Sequence, residues 1–92
     1  MTKPRVLVVE DEGLVALELK EALSKMGYGV SNVVSSGNEA LDSVVADCPD
    51  LILMDIRLDG PLDGIETARR IKEICNIPVI YLTADINDST LL

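Results

Sequence analysis

The strongest constraint on this chain is its set of short runs that are apolar on both faces. Val6-Leu7-Val8-Val9, Leu51-Ile52-Leu53-Met54 and the stretch from Pro78 to Leu82 are too short for helices, and the first of them is β-branched at three of four positions. A strand that shows apolar side chains to both sides must be covered on both sides, which is the situation of a parallel sheet layered between helices. A further run, Val30 to Val34, is interrupted by Ser31 and Asn32 and has the mixed character of an edge.

Helical patterns separate these runs. From Gly13 to Met26 the apolar residues Val15, Leu19, Ala22, Leu23 and Met26 recur at spacings that place them on one stripe, and Gly27 and Gly29 close the segment. Ser36-Gly37-Asn38-Glu39 is a capping-box pattern that opens a helix with Leu41, Val44 and Val45 on one face, ending near Cys48-Pro49. Asp63-Gly64-Ile65-Glu66 repeats the pattern, and its helix turns Ile65, Ala68, Ile71 and Cys75 inward and Arg69, Arg70, Lys72 and Glu73 outward. Pro78 to Leu82 is then expected as a buried fourth strand, and Asp88 or Ser89 offers the start of a further helix. The order β-α-β-α-β-α-β, with right-handed crossovers, predicts a doubly wound parallel α/β sheet in a single domain spanning residues 1–92.

Composition narrows the function. With no Trp or Phe, and only Tyr28 and Tyr81, the core must be aliphatic. A formal net charge of −8 repels phosphates, so it disfavours direct nucleic-acid or anionic-membrane binding and suits a cation or a basic partner. Cys48 and Cys75 have neither C-x-x-C spacing nor any histidine to complete a zinc site. They are expected as reduced, small core hydrophobes. The first residues contain neither a signal peptide nor a membrane span, so a cytoplasmic protein is expected.

Ligands of open α/β sheets bind outside the carboxyl ends of the strands. After the first strand stand Glu10, Asp11 and Glu12; after the third, Asp55; after the fourth, Thr83 and Ala84. An acidic run before a helix often serves only as a cap. If the first and third strands are neighbours, however, Glu10, Asp11 and Asp55 share one pocket, where their charges repel. A hard cation such as Mg2+ resolves that repulsion with oxygen ligands alone. Asp55 is then a nucleophile for phosphorus, and Thr83 a hydroxyl donor at the same rim.

Val6 to Glu12, Asp50 to Asp55, Asp63-Gly64 and Pro78 to Ala84, taken in order, resemble the receiver domain of bacterial and archaeal response regulators. The resemblance implies a flavodoxin-like fold with strand order 2-1-3-4, the family's usual fifth strand being absent from these residues. It implies Asp55 as phosphoacceptor from a sensor histidine kinase, and Glu10, Asp11, Asp55 and the backbone carbonyl of Arg57 as ligands of Mg2+ or Mn2+. It further implies Thr83 as the switch hydroxyl, the amides of Ile56 and Ala84 as phosphate-facing donors, and a downstream output domain or protein as partner. On this resemblance the domain is a phosphoacceptor switch that catalyses only its own phosphorylation and dephosphorylation.

Two departures stand out. The stretch between Asp55 and Asp63-Gly64 is one residue longer than the common pattern, which implies a remodelled loop. The family's phosphate-contacting lysine and its aromatic switch residue have no counterparts, so the receiver is expected to be C-terminally incomplete, with the fourth strand as an exposed edge that invites a homodimer. The alternative is a receiver-like interaction module that works without phosphate. A phosphohydrolase with an Asp nucleophile is disfavoured, because the position two after Asp55, where such enzymes carry an acid, is Arg57. A flavin site is disfavoured because Glu10 to Glu12 would repel the cofactor's phosphate.

Overall fold

β1 (Arg5–Val9) takes a central place in the sheet, as its doubly apolar face requires, and Val6, Leu7, Val8 and Val9 are fully buried. A computed structural model describes residues 3–82. After β1 come α1 (Gly13–Lys25), β2 (Gly29–Val34), α2 (Gly37–Ala46), β3 (Leu51–Asp55), α3 (Gly64–Ile74) and β4 (Val79–Leu82). The four strands form one sheet in the order β2-β1-β3-β4 with every pairing parallel. This is the doubly wound, flavodoxin-like topology expected from the sequence. The anticipated start of a further helix at Asp88 or Ser89 lies outside the described residues.

The two-residue period of the strands sorts the core into two layers. Leu7, Val9, Ile52 and Met54 pack with Ala40 and Val44 of α2, Ile71 of α3 and Leu58 of the β3–α3 loop. Val6, Val8 and Leu53 point the other way, onto Leu23 of α1, with Leu19, Tyr28 and Leu82 around them. Each such large aliphatic side chain contributes roughly 1.5–3 kcal/mol on burial, so the sheet is anchored from both sides by packing that is almost wholly aliphatic.

The helix starts form as their sequences predict, but neither capping box closes in the expected way. At α2, Ser36 Oγ accepts from the Glu39 amide at 3.1 Å, but the Glu39 carboxylate reaches one residue further back and accepts from the Ser35 amide at 3.0 Å. At α3, Asp63 accepts from the Glu66 amide at 2.8 Å, while the Glu66 carboxylate turns outward to Arg69 and Arg70 instead of closing the box.

Several expectations about faces need correction. Val45, Ile65 and Met26, assigned inward, are 69%, 57% and 69% exposed. Val45 and Ile65 stand beside the line along which their helices meet the sheet, and Met26 is the cap residue that follows α1. Buried Thr67 takes a place on α3 that a purely apolar reading could not assign; its hydroxyl donates to the Asp63 carbonyl at 2.6 Å. α2 also ends earlier than expected, since Asp47 is already extended. It is held there by an ion pair with Arg5. β4 is not a buried strand: Ile80 and Tyr81 are 50% and 42% exposed, because β4 pairs only with β3 among the described residues. Finally, Cys48 and Cys75 are joined in a disulfide, not present as separate thiols. The loops after α2 and after α3 bring them to the same end of the sheet.

Candidate functional site

β1 and β3 pair in register, Val9 against Met54, so the residues that follow them leave the sheet side by side. Glu10 extends the ladder by one bond, donating its amide to the Val34 carbonyl at 3.0 Å. This tether holds its carboxyl inside the fold, and Glu10 is only 4% exposed. Asp55, the last residue of β3, pairs with Leu82 of β4 and is 5% exposed. Asp11 is half-buried beside them. One carboxylate oxygen from each of Glu10, Asp11 and Asp55 can be chosen so that all three lie within 4.8 Å of one another. The three carboxylates predicted to converge do converge.

Backbone amides steady each carboxylate. Glu10 Oε1 accepts from the Glu12 amide at 3.2 Å, Asp55 Oδ1 from the Arg57 amide at 3.0 Å and Asp11 Oδ2 from the Asp59 amide at 3.3 Å. These dipoles do not cancel the mutual repulsion. Burial pushes the Glu10 carboxyl up to about 7, and the neighbouring charges of Asp55 and Asp11 push the same way, against the opposing pull of the Glu12 amide.

The lengthened loop is built to face this pocket. Leu58 and Leu62 are buried as its two anchors, and Gly60, at φ 101°, makes the turn between them. That fold-back delivers the Asp59 amide to Asp11. The loop closes on α3 through the Gly64 amide, which donates to the Ile56 carbonyl at 2.9 Å. Gly64 is indispensable there: a Cβ would stand 2.1 Å from the Asp55 carbonyl oxygen and 2.9 Å from the Ile56 Cα. The first turn of α3 thus rests directly on the backbone of Asp55.

The Ile56 amide, expected to face a bound phosphate, here donates to the Leu82 carbonyl at 3.3 Å. Asp55 ends the strand, so the next N–H still belongs to the sheet. The amide at the Asp55 carboxylate is that of Arg57, which the sequence reading named only for its carbonyl. Thr83 and Ala84 lie outside the described residues; the described chain ends at Leu82, the partner of Asp55.

The donor set is all oxygen, with two buried carboxylates and a third at the rim. This fits a hard divalent cation and not a soft metal. A parallel sheet in this order, with an acidic trio at the carboxyl ends of β1 and β3, is what the motif resemblance required. Residues 6–92 match the family model described as response regulator receiver domain. The chain belongs to this receiver family.

Relatives agree. The receiver is 39% identical over 85 residues to the sporulation initiation phosphotransferase F of Bacillus subtilis, covering 91% of this chain and 67% of that protein. It is 35% identical to the transcriptional regulatory protein AfsQ1 of Streptomyces coelicolor, covering 92% of this chain but only 37% of that protein. The chain therefore spans about a third of the length of such regulators. Among solved structures, the signal receiver domain of a modulated diguanylate cyclase from Desulfovibrio desulfuricans superposes with a TM-score of 0.86 at 42% identity, covering 96% of this receiver and 70% of that chain. The receiver domain of the Erythrobacter litoralis response regulator PhyR gives 0.84 at 30% identity, covering 91% and 65%.

Proposed function

We propose that this receiver accepts a phosphoryl group on Asp55 and thereby switches its affinity for a partner. The observation that supports the reading is the pocket itself: a carboxylate at the end of β3, buried yet paired with two further carboxylates and aimed by the Arg57 amide. In the transfer, an Asp55 oxygen forms a bond to phosphorus as the phosphorus–nitrogen bond of a kinase phosphohistidine breaks. The imidazole leaves with the electron pair and takes up a proton. Glu10, Asp11, Asp55 and the Arg57 carbonyl would hold Mg2+ or Mn2+, which supplies neutralisation of the charge that gathers on the phosphoryl oxygens. The Arg57 amide orients Asp55, and the buried walls of β1 and β3 limit water at the acyl phosphate. By the family resemblance, Thr83 would serve as the switch hydroxyl and the Ala84 amide as a further phosphate donor.

The same reading takes a sensor histidine kinase as donor and a downstream output domain or protein as receiver of the signal. It places the protein in the cytoplasm; no helix among the described residues is long and apolar enough to cross a membrane. It treats the chain as a switch that acts on itself and not as an enzyme with turnover on other substrates. The partly exposed β4 and the apolar groove beside it (about 300 Å³, lined by Leu19, Leu23, Met26, Tyr28, Leu51 and Ile80) favour a homodimer of the 92-residue chain through that edge. A monomer in light scattering at micromolar concentration would refute that part.

Intact mass before and after treatment with Mg2+ and a small phosphodonor tests the central claim. One added phosphoryl group, absent in Asp55→Asn and absent in EDTA, is the expected result. A folded chain that takes up none, and binds its partner unchanged as Asp55→Asn, would instead be an interaction module that works without phosphate.

A further inference from the structure

The only two cysteines of the chain meet at the end of the sheet opposite the acidic pocket. Their backbones are positioned by contacts that owe nothing to sulfur. The segment before β3 is pinned to β1: Asp50 donates its amide to the Arg5 carbonyl at 2.8 Å, the Arg5 amide donates to Asp50 Oδ2 at 2.7 Å, and Asp47 pairs with the Arg5 guanidinium. Pro49 is buried beside Cys48. Cys75 caps α3, donating its amide to the Ile71 carbonyl at 2.8 Å, and its own carbonyl accepts from the Ile77 amide at 3.1 Å. These contacts leave the two Cα atoms 6.4 Å apart, inside the roughly 4.4–6.8 Å that a disulfide spans. Cys48 is exposed and Cys75 half-buried, so solvent reaches the pair.

We propose that Cys48 and Cys75 form a reversible redox site, and that its state sets the stability of the domain. The oxidant is a low-molecular-weight disulfide. The exposed Cys48 thiolate attacks one sulfur of that disulfide, forming a mixed disulfide and releasing one small thiolate. The Cys75 thiolate then attacks the Cys48 sulfur and releases the second. Two electrons and two protons pass from the protein to the small disulfide, which becomes two thiols. A small dithiol or thiol reverses both steps.

The consequence follows from what the cross-link encloses. Cys48 and Cys75 are 27 positions apart, and the loop they close contains β3, Asp55, the whole site-facing loop and α3. Closing a loop of that length removes unfolded-state freedom without requiring the folded backbone to move. The acidic pocket lies at the far end of β3, so the bond tightens the element that carries Asp55 without entering the site.

The test uses the full chain equilibrated in mixtures of reduced and oxidised glutathione, then trapped with N-ethylmaleimide and weighed under denaturing conditions. A two-electron transition between a form with two adducts and a form with none is expected. The form with none should melt roughly 10–25 °C higher, by the loop-closure and size scaling of small domains. Cys48→Ser and Cys75→Ser should each melt at the same temperature in both buffers. Two adducts at every ratio would overturn the proposal. So would glutathione retained on both cysteines, disulfide-linked dimers in place of the internal bond, or equal melting temperatures of the two forms. No phosphoryl step enters these readouts, so they stand or fall apart from the role of Asp55.

Discussion

Replacing Glu10 by Gln separates the electrostatics of the pocket from its packing. In the folded chain burial and neighbouring carboxylates raise this group from 4.5 to about 7. The folded state therefore keeps a proton on Glu10 over a range in which the unfolded chain has lost it. Below about pH 4.5 both states are protonated and the group costs nothing. As pH rises the folded state becomes less favoured, and above about pH 7 the full penalty is present. At about 1.4 kcal/mol per pH unit that penalty is at most about 3.5 kcal/mol. Gln keeps the size of Glu and an acceptor for the Glu12 amide, and it cannot ionise. In EDTA at pH 8, Glu10→Gln should thus be more stable than the parent by about 1–3 kcal/mol, whereas at pH 5 the two should agree within about 1 kcal/mol. The chain has no tryptophan, so urea unfolding is best followed by far-ultraviolet circular dichroism. Saturating Mg2+ should reverse the ranking, because a cation held at about a thousand times its dissociation constant adds about 4.1 kcal/mol to the species that binds it. A variant destabilised equally at pH 5 and pH 8, or stabilised by Mg2+ as much as the parent, would refute the reasoning.

Other perturbations probe neighbouring parts of the same argument. Mg2+ must displace the proton held by Glu10, so its affinity, read by titration calorimetry, should strengthen from pH 6 to pH 8 and level off above. A pH-independent affinity would remove Glu10 from the ligand set. Gly64→Ala inserts a methyl against the Asp55 backbone and should cost about 2–4 kcal/mol in urea unfolding; a variant within 0.5 kcal/mol of the parent, by the same principle, would show that α3 does not rest on β3 as described. Ser36→Ala removes the cap at α2 and should cost about 1 kcal/mol without changing Mg2+ affinity.

What the sequence revealed, and what it hid, follows from the range of the interactions involved. The sheet was legible because short runs apolar on both faces report burial locally, and the pocket was legible because acidic residues stood at the ends of two such runs. Helix faces were less legible. Ile65 and Val45 fit an apolar stripe by spacing, yet both are exposed, because spacing does not say how wide the covering surface is. The Cys48–Cys75 bond joins residues 27 positions apart, and no local pattern reports a meeting of two loops. The Arg57 amide was hidden for another reason: a backbone donor carries no residue signature. Gly64 was read as part of a capping box, but its strictest constraint comes from β3, a contact that exists only once the strand and helix are packed.

These two hidden contributions bear on how the pocket acts. The Asp55 carboxylate is aimed by an amide two residues later, and the Asp55 carbonyl lies against the first residue of α3. A chain that needed only stability would gain by exposing one of its buried acids, since a like-charge pair without a counterion weakens a fold. Here the sheet register holds Glu10 and Asp55 together, the loop brings the Asp59 amide down to Asp11, and burial, with the neighbouring charges of Asp55 and Asp11, pushes Glu10 up to about 7. Local rules are broken at one place and satisfied around it, the pattern expected of a functional site. On the proposed function, a charge added at Asp55 meets a pocket whose three acids already repel one another. The response has a short covalent and hydrogen-bonded route outward, through the Ile56 carbonyl and Gly64 into α3, and through Leu82 into β4. On the proposed phosphorylation of Asp55, α3 and β4 are placed to carry the signal, since Gly64 and Leu82 lie against the backbone of that residue.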